Sequence, residues 1–134
     1  MPQGQMRESA EIERIGMETA MAHEVKNGRT QQDVSAENSG FDIRSVDAES
    51  RDIRYIEVKA RAGTGPVALT HNEWFKAQRF QEAYYLYAVT NAATSPQLYI
   101  VKNPAENLDP EERLEVVRHV VPSEQIKTRG EKTR

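Results

Sequence analysis

Residues 40–61, GFDIRSVDAESRDIRYIEVKAR, constrain this chain more than any other stretch. Two runs alternate apolar with polar residues, and a polar segment, DAESRD, separates them. Period-two alternation around a short polar break predicts a β-hairpin, with strands over Phe41–Val46 and Ile53–Ala60. Strand side chains point alternately to opposite faces, so a one-residue slip scatters the apolar set. Centring the turn on Glu49 and Ser50 sets Asp47 against Asp52, Val46 against Ile53, and Arg44 against Tyr55. The same count sets Ile43 against Ile56, Asp42 against Glu57 and Phe41 against Val58. Phe41, Ile43, Ile56 and Val58 then share one face. Asp42, Glu57 and Lys59 gather on the other.

Two carboxylates opposed across a strand pair repel, because their Cβ atoms lie only about 5 Å apart. Lys59 relieves part of that repulsion as an ion pair. A divalent cation relieves more, since hard ions such as Mg²⁺ take oxygen ligands. A cation held by two acids polarises a phosphoryl oxygen and lowers the pKa of a bound water. A neighbouring lysine then orients the water or stabilises developing negative charge. The plainer alternative is a solvated sheet face, on which an acid–lysine pair contributes under about 1 kcal/mol.

The rest of the chain supplies partners for the hairpin. Its 134 residues suit one domain with a modest core. We expect a tail over residues 1–9, a single domain over 10–122 and a charged flexible tail over 123–134. Residues 10–27 read as a helix, with Ser9 as N-cap, Ile12, Ile15, Thr19 and Ala22 near helical spacing, and Asn27-Gly28 as its stop. Met21 and Val25 fall close to the same stripe. RTQQDVSAENSG reads as a connector. Val67–Leu69 reads as a short strand. Thr70 and Glu73 form a T-x-x-E capping box that opens a helix of about 12 residues. Trp74, just behind the cap, reads as a core aromatic. Tyr84–Thr90 reads as a central strand, with Tyr84, Tyr85 and Tyr87 as packing residues, and Gln97–Val101 as another strand. Leu114–Val121 suits either a helix or an edge strand. The expected fold is α/β (α+β), a mixed central sheet flanked by helices.

Composition narrows function. No apolar run approaches the roughly 20 residues of a membrane span, and the first residues carry no secretory signal. Cysteine is absent, which rules out thiolate metal sites and disulfides and fits a reducing, cytoplasmic setting. A net charge of −3 argues against a domain that simply coats nucleic acid. Contact with DNA or RNA would need a local patch. Lys76 and Arg79, at i, i+3 spacing on the predicted second helix, could form one with Lys59 and Arg61. They equally suit a solvated helix face.

An Asp on one strand followed by E-x-K on the next resembles the core of the PD-(D/E)xK nuclease superfamily. The segments NSGFDIRS, YIEVKAR, LTHNEWFKAQ, YYLYAV and VKNP, in that order, resemble those of the protein NO VEIN C-terminal family, over roughly residues 12–108. The resemblance implies a restriction-endonuclease-like core. It implies Asp42 and Glu57 as ligands of Mg²⁺ or Mn²⁺ and Lys59 as the catalytic lysine. Glu18, in IGMETAM, resembles the first-helix glutamate that completes many such sites. Phe41 stands where the superfamily usually has proline. Domains of this family often end large helicase-like or ATPase proteins. The implied partners are therefore DNA or RNA, a helicase or ATPase on another chain, and a second copy, since many superfamily members act as dimers. The implied activity is phosphodiester hydrolysis. The alternative is a catalytically silent module that binds nucleic acid or the motor protein.

Overall fold

The computed structural model describes residues 3–114 and 119–133. The order is α1 (Gln3–Lys26), β1 (Arg29–Asp33), β2 (Ile43–Asp47), β3 (Ile53–Ala60), α2 (His71–Phe80), β4 (Tyr84–Thr90), β5 (Gln97–Lys102), α3 (Pro104–Asn107) and α4 (Ser123–Arg129), with 3-10 turns at Ser35–Glu37 and Gln81–Ala83. The five strands form one sheet in the order β1-β2-β3-β4-β5. β3 and β4 pair in parallel; every other pair is antiparallel. A parallel pair needs a crossover, and α2 supplies it. The expected mixed sheet flanked by helices is the fold observed.

The hairpin takes the register that the apolar alternation selects: Ile43 pairs with Ile56, Arg44 with Tyr55 and Val46 with Ile53. Its turn is closed by the Asp47 carboxylate, which accepts the amides of Glu49 and Ser50 at 2.9 Å each. Ile43 and Ile56 are fully buried with Ala20, Tyr85 and Tyr87, and Met17, Met21, Val58 and Leu98 pack around them. This is the face that α1 covers. Gly16 lets the helix approach β3 closely, since a Cβ there would lie 2.7 Å from that of Ala60. α2 covers the opposite face.

Several expectations are corrected. α1 begins at Gln3, so Ser9 lies inside the helix and is no cap. Its buried stripe is Gly16, Ala20 and Glu24, while Ala22 and Val25 are exposed. The stripe escapes a hydrophobicity pattern because none of its three residues is large and apolar. RTQQD forms the edge strand β1 within the expected connector, and Val67–Leu69 forms no strand. Strand β2 starts at Ile43, after Phe41, so strict alternation does not reach Phe41. Its ring turns to the α2 face, edge-on to Tyr55 at 4.9 Å and to Phe80 at 6.1 Å. Ser123–Arg129 is helical within the segment expected as a tail. Residues 115–118, half of the element expected over Leu114–Val121, lie outside the described residues.

Candidate active site

Strand β3 sends Tyr55, Glu57 and Lys59 to the α2 face, and the chain just ahead of β2 brings Asp42 beside Glu57. The Asp42 backbone is pinned on both sides: its N–H donates to the Ile56 carbonyl, and its carbonyl accepts from Val34, each at 2.8 Å. Its Oδ2 accepts the Val58 N–H at 2.8 Å. The acid is thus fixed to the strand that carries Glu57. Gly40, at φ +87°, makes the approach possible, because the Lys76 side chain and the Asn72 amide occupy the place a Cβ would need. The Tyr84 hydroxyl donates to the Gly40 carbonyl at 2.7 Å and ties this loop to β4.

Glu57 is 3% exposed. The Lys59 ammonium lies 3.5 Å from Glu57 Oε1 and 2.9 Å from Glu73 Oε1. Glu73 comes from the first turn of α2. The three acids line a cleft of about 110 Å³ with Gly40, Phe41 and Asn72. Burial, a hydrogen bond with Glu73 and the charges of Asp42 and Glu73 push the Glu57 carboxyl up to about 9. Burial also raises Asp42, against the opposing hydrogen bond from Val58. Burial would raise Glu73 too, but hydrogen bonds from Glu57, Lys59 and Thr70 outweigh it and hold Glu73 below the usual carboxylate range. At neutral pH the trio therefore carries a proton on Glu57. A proton forced onto a buried acid by its neighbours marks excess negative charge, which a cation would relieve.

The sequence-derived candidates divide. Asp42, Glu57 and Lys59 come together. Glu18 does not join them: it lies on α1, on the other side of the sheet, 63% exposed, and its carboxylate takes the Arg14 guanidinium at 2.6 Å. The helix meets the sheet through Gly16, Ala20 and Glu24, and Glu18 falls outside that stripe. Arg61 donates to the Pro66 carbonyl at 2.7 Å, Lys76 lies over the Phe80 ring at 5.6 Å, and Arg79 is exposed in the last turn of α2. Among the described residues, none of these three forms an ion pair with the cleft acids. Sequence spacing assigns Glu73 to a helix cap, and the resemblance of its T-x-N-E-W segment to the family's leaves it room for a role lining the site. The capping box is present, but the same carboxylate reaches Lys59. Only the crossover from β3 to α2 brings the two together.

Donor chemistry decides which cation the cleft suits. Among the described residues, no group of three or more His, Cys, Asp and Glu side chains is arranged to hold a metal ion. The two carboxylates of Asp42 and Glu57 fit Mg²⁺, which commonly takes one or two protein carboxylates and completes its shell with water and phosphate oxygens. Asp42 and Glu57 would hold it.

The class so defined is a mixed α/β domain with a buried acid–lysine cluster where strand β3 meets a crossover helix. The chain belongs to the protein NO VEIN, C-terminal family, whose model matches residues 12–101. No curated protein and no solved structure matches it. No helix among the described residues is long and apolar enough to cross a membrane.

Proposed function

We propose that this domain is a metal-dependent nuclease of the PD-(D/E)xK type, hydrolysing phosphodiester bonds in DNA or RNA. One observation carries the reading. Asp42, just ahead of β2, and Glu57, on β3, converge on one cleft with the Lys59 ammonium 3.5 Å from the Glu57 carboxylate. Mg²⁺ or Mn²⁺, when bound, supplies Lewis-acid polarisation of the phosphate and a water of lowered pKa. Asp42, locked by the Val58 amide, would hold that cation through a fixed carboxylate. Glu57 would hold it through its carboxylate once deprotonated. Lys59 orients the attacking water or stabilises charge developing on the phosphate oxygens.

Purified protein should cleave at least one of single- or double-stranded DNA or RNA in Mg²⁺ or Mn²⁺ and none in chelator. Asp42→Asn and Lys59→Ala should each lower the rate by about 100-fold or more with the fold intact. Cleavage surviving in both variants would sink the proposal.

The second reading is a catalytically silent module that binds nucleic acid, or a helicase or ATPase on another chain. Its support is the exposed Glu18 and the separate local contacts of Arg61 and Lys76. It predicts binding without turnover, and only weak dependence of that binding on Asp42.

A further inference from the structure

Glu73 does more than a cap requires. Its Oε1 is the carboxylate oxygen nearest the Lys59 ammonium, at 2.9 Å against 3.5 Å for Glu57 Oε1. The same oxygen accepts the Thr70 N–H at 2.8 Å, and Thr70 Oγ1 accepts the Glu73 N–H at 3.2 Å. Lys59 is thereby anchored to a helix turn that is itself locked. A lysine ammonium rides on a flexible four-carbon stem and otherwise settles on the nearest carboxylate, which along β3 is Glu57. The first turn of α2 also steadies the other half of the cleft, since Asn72 closes over Gly40, two residues ahead of Asp42.

We propose that Glu73 is a positioning residue for Lys59, drawing the ammonium toward α2 so that the Glu57 carboxylate remains open to a cation. The catalytic consequence rests on the nuclease reading; the pairing itself does not. Replacing the carboxylate lets Lys59 collapse onto Glu57, where it competes with metal and leaves the position from which it meets water or phosphate.

The test separates cap from anchor. Glu73→Gln keeps a side chain able to complete the capping box but removes the charge that holds Lys59. Thr70→Ala removes the other half of the box and leaves that charge in place. The Lys59 side-chain ammonium signal, assigned by its loss in Lys59→Met, is followed by nitrogen-15 NMR at neutral pH. It should be protected from water exchange in wild type, in Thr70→Ala and in Glu57→Gln, still protected through Glu57 in Glu73→Gln, and lost only when both glutamates are replaced. In cleavage assays Glu73→Gln should lower kcat about tenfold or more, with KM for nucleic acid within about twofold. Thr70→Ala should lower thermal stability and leave kcat within about twofold. Protection absent in wild type, lost in Glu57→Gln alone, lost in Thr70→Ala, or kept when both glutamates are replaced overturns the proposal. Wild-type protein that cleaves nothing overturns the nuclease reading instead, while the ammonium signal still decides whether Glu73 holds Lys59.

Discussion

On the proposed function, Glu57 is the residue on which the chemistry turns. Its carboxyl holds a proton up to about pH 9 when folded, against an ordinary value of 4.5. The folded state therefore binds more protons than the unfolded state between those values, and stability must fall as pH rises through that window. This contribution is fully present below about pH 4.5 and exhausted above about pH 9. Asp42 is raised for the same leading reason, burial, and acts in the same direction. Glu73 and Asp47 are lowered, so their contributions are lost only toward acid. Metal-free protein unfolded in urea should thus be less stable at pH 8.5 than at pH 5.5, and Glu57→Gln should flatten most of that slope. Equal slopes in the two proteins would mean Glu57 ionises freely. Sequence alternation brings Asp42 and Glu57 together because the register that gathers Phe41, Ile43, Ile56 and Val58 on one face pairs them, and the strands keep that register although Phe41 itself turns to the α2 face. It could not reveal the proton, which depends on how deeply α2 buries the pair.

At the scale of elements, α1 is fastened to the sheet by a buried polar network rather than by apolar packing alone. Glu24, fully buried, accepts the Ser45 hydroxyl at 2.8 Å and the Tyr87 hydroxyl at 2.7 Å, and the Arg29 guanidinium lies 3.4 Å away. Arg29 also donates to Ser45 Oγ at 2.9 Å and to the Asp52 carbonyl at 2.9 Å. One carboxylate thus joins the helix to β1, β2 and β4. Glu24→Ala would leave the Ser45 and Tyr87 hydroxyls short of an acceptor and take from the buried Arg29 guanidinium its one fully buried counter-charge, and we expect a loss of about 3–5 kcal/mol in chemical denaturation. A loss below about 1 kcal/mol, the range of exposed pairs, would contradict this account of how α1 is held. The network also explains what the sequence hides. Glu24 reads as one more surface glutamate, and RTQQD carries no apolar pattern. An edge strand exposed on one side can be polar throughout, with Arg29 alone turned inward to meet Glu24. By contrast, the T-x-x-E box of α2 and the apolar run of β4 are local signals, and both elements form where those signals fall. Glu18 and Glu24 look alike in the sequence; only the packing of α1 through Gly16 and Ala20 tells the exposed one from the buried one.

Across the whole molecule, the parallel pairing of β3 with β4 places α1 and α2 on opposite faces of one sheet. The α1 face carries the main apolar cluster and the Glu24 network, while Tyr84 and Leu86 are buried on the α2 face. The α2 face carries Asp42, Glu57, Lys59 and Glu73, gathered from three separate parts of the chain. Division of labour between faces lets a domain with a net charge of −3 keep a dense acidic cleft without spreading it through the core. Such a cleft repels a bare phosphate backbone, so nucleic acid should approach only once a divalent cation has compensated the acids. On the proposed function, Asp42 and Glu57 form a cation site. Calorimetric titration of Mg²⁺ and Mn²⁺ into wild type and into the double variant Asp42→Asn, Glu57→Gln tests it directly. Run at pH 7.5 in buffers of different ionisation enthalpy, it also reads proton release. Wild type should bind with release of about one proton, supplied by Glu57, and the double variant should not bind. Equal binding by both proteins, or binding by wild type with no proton released, would contradict it.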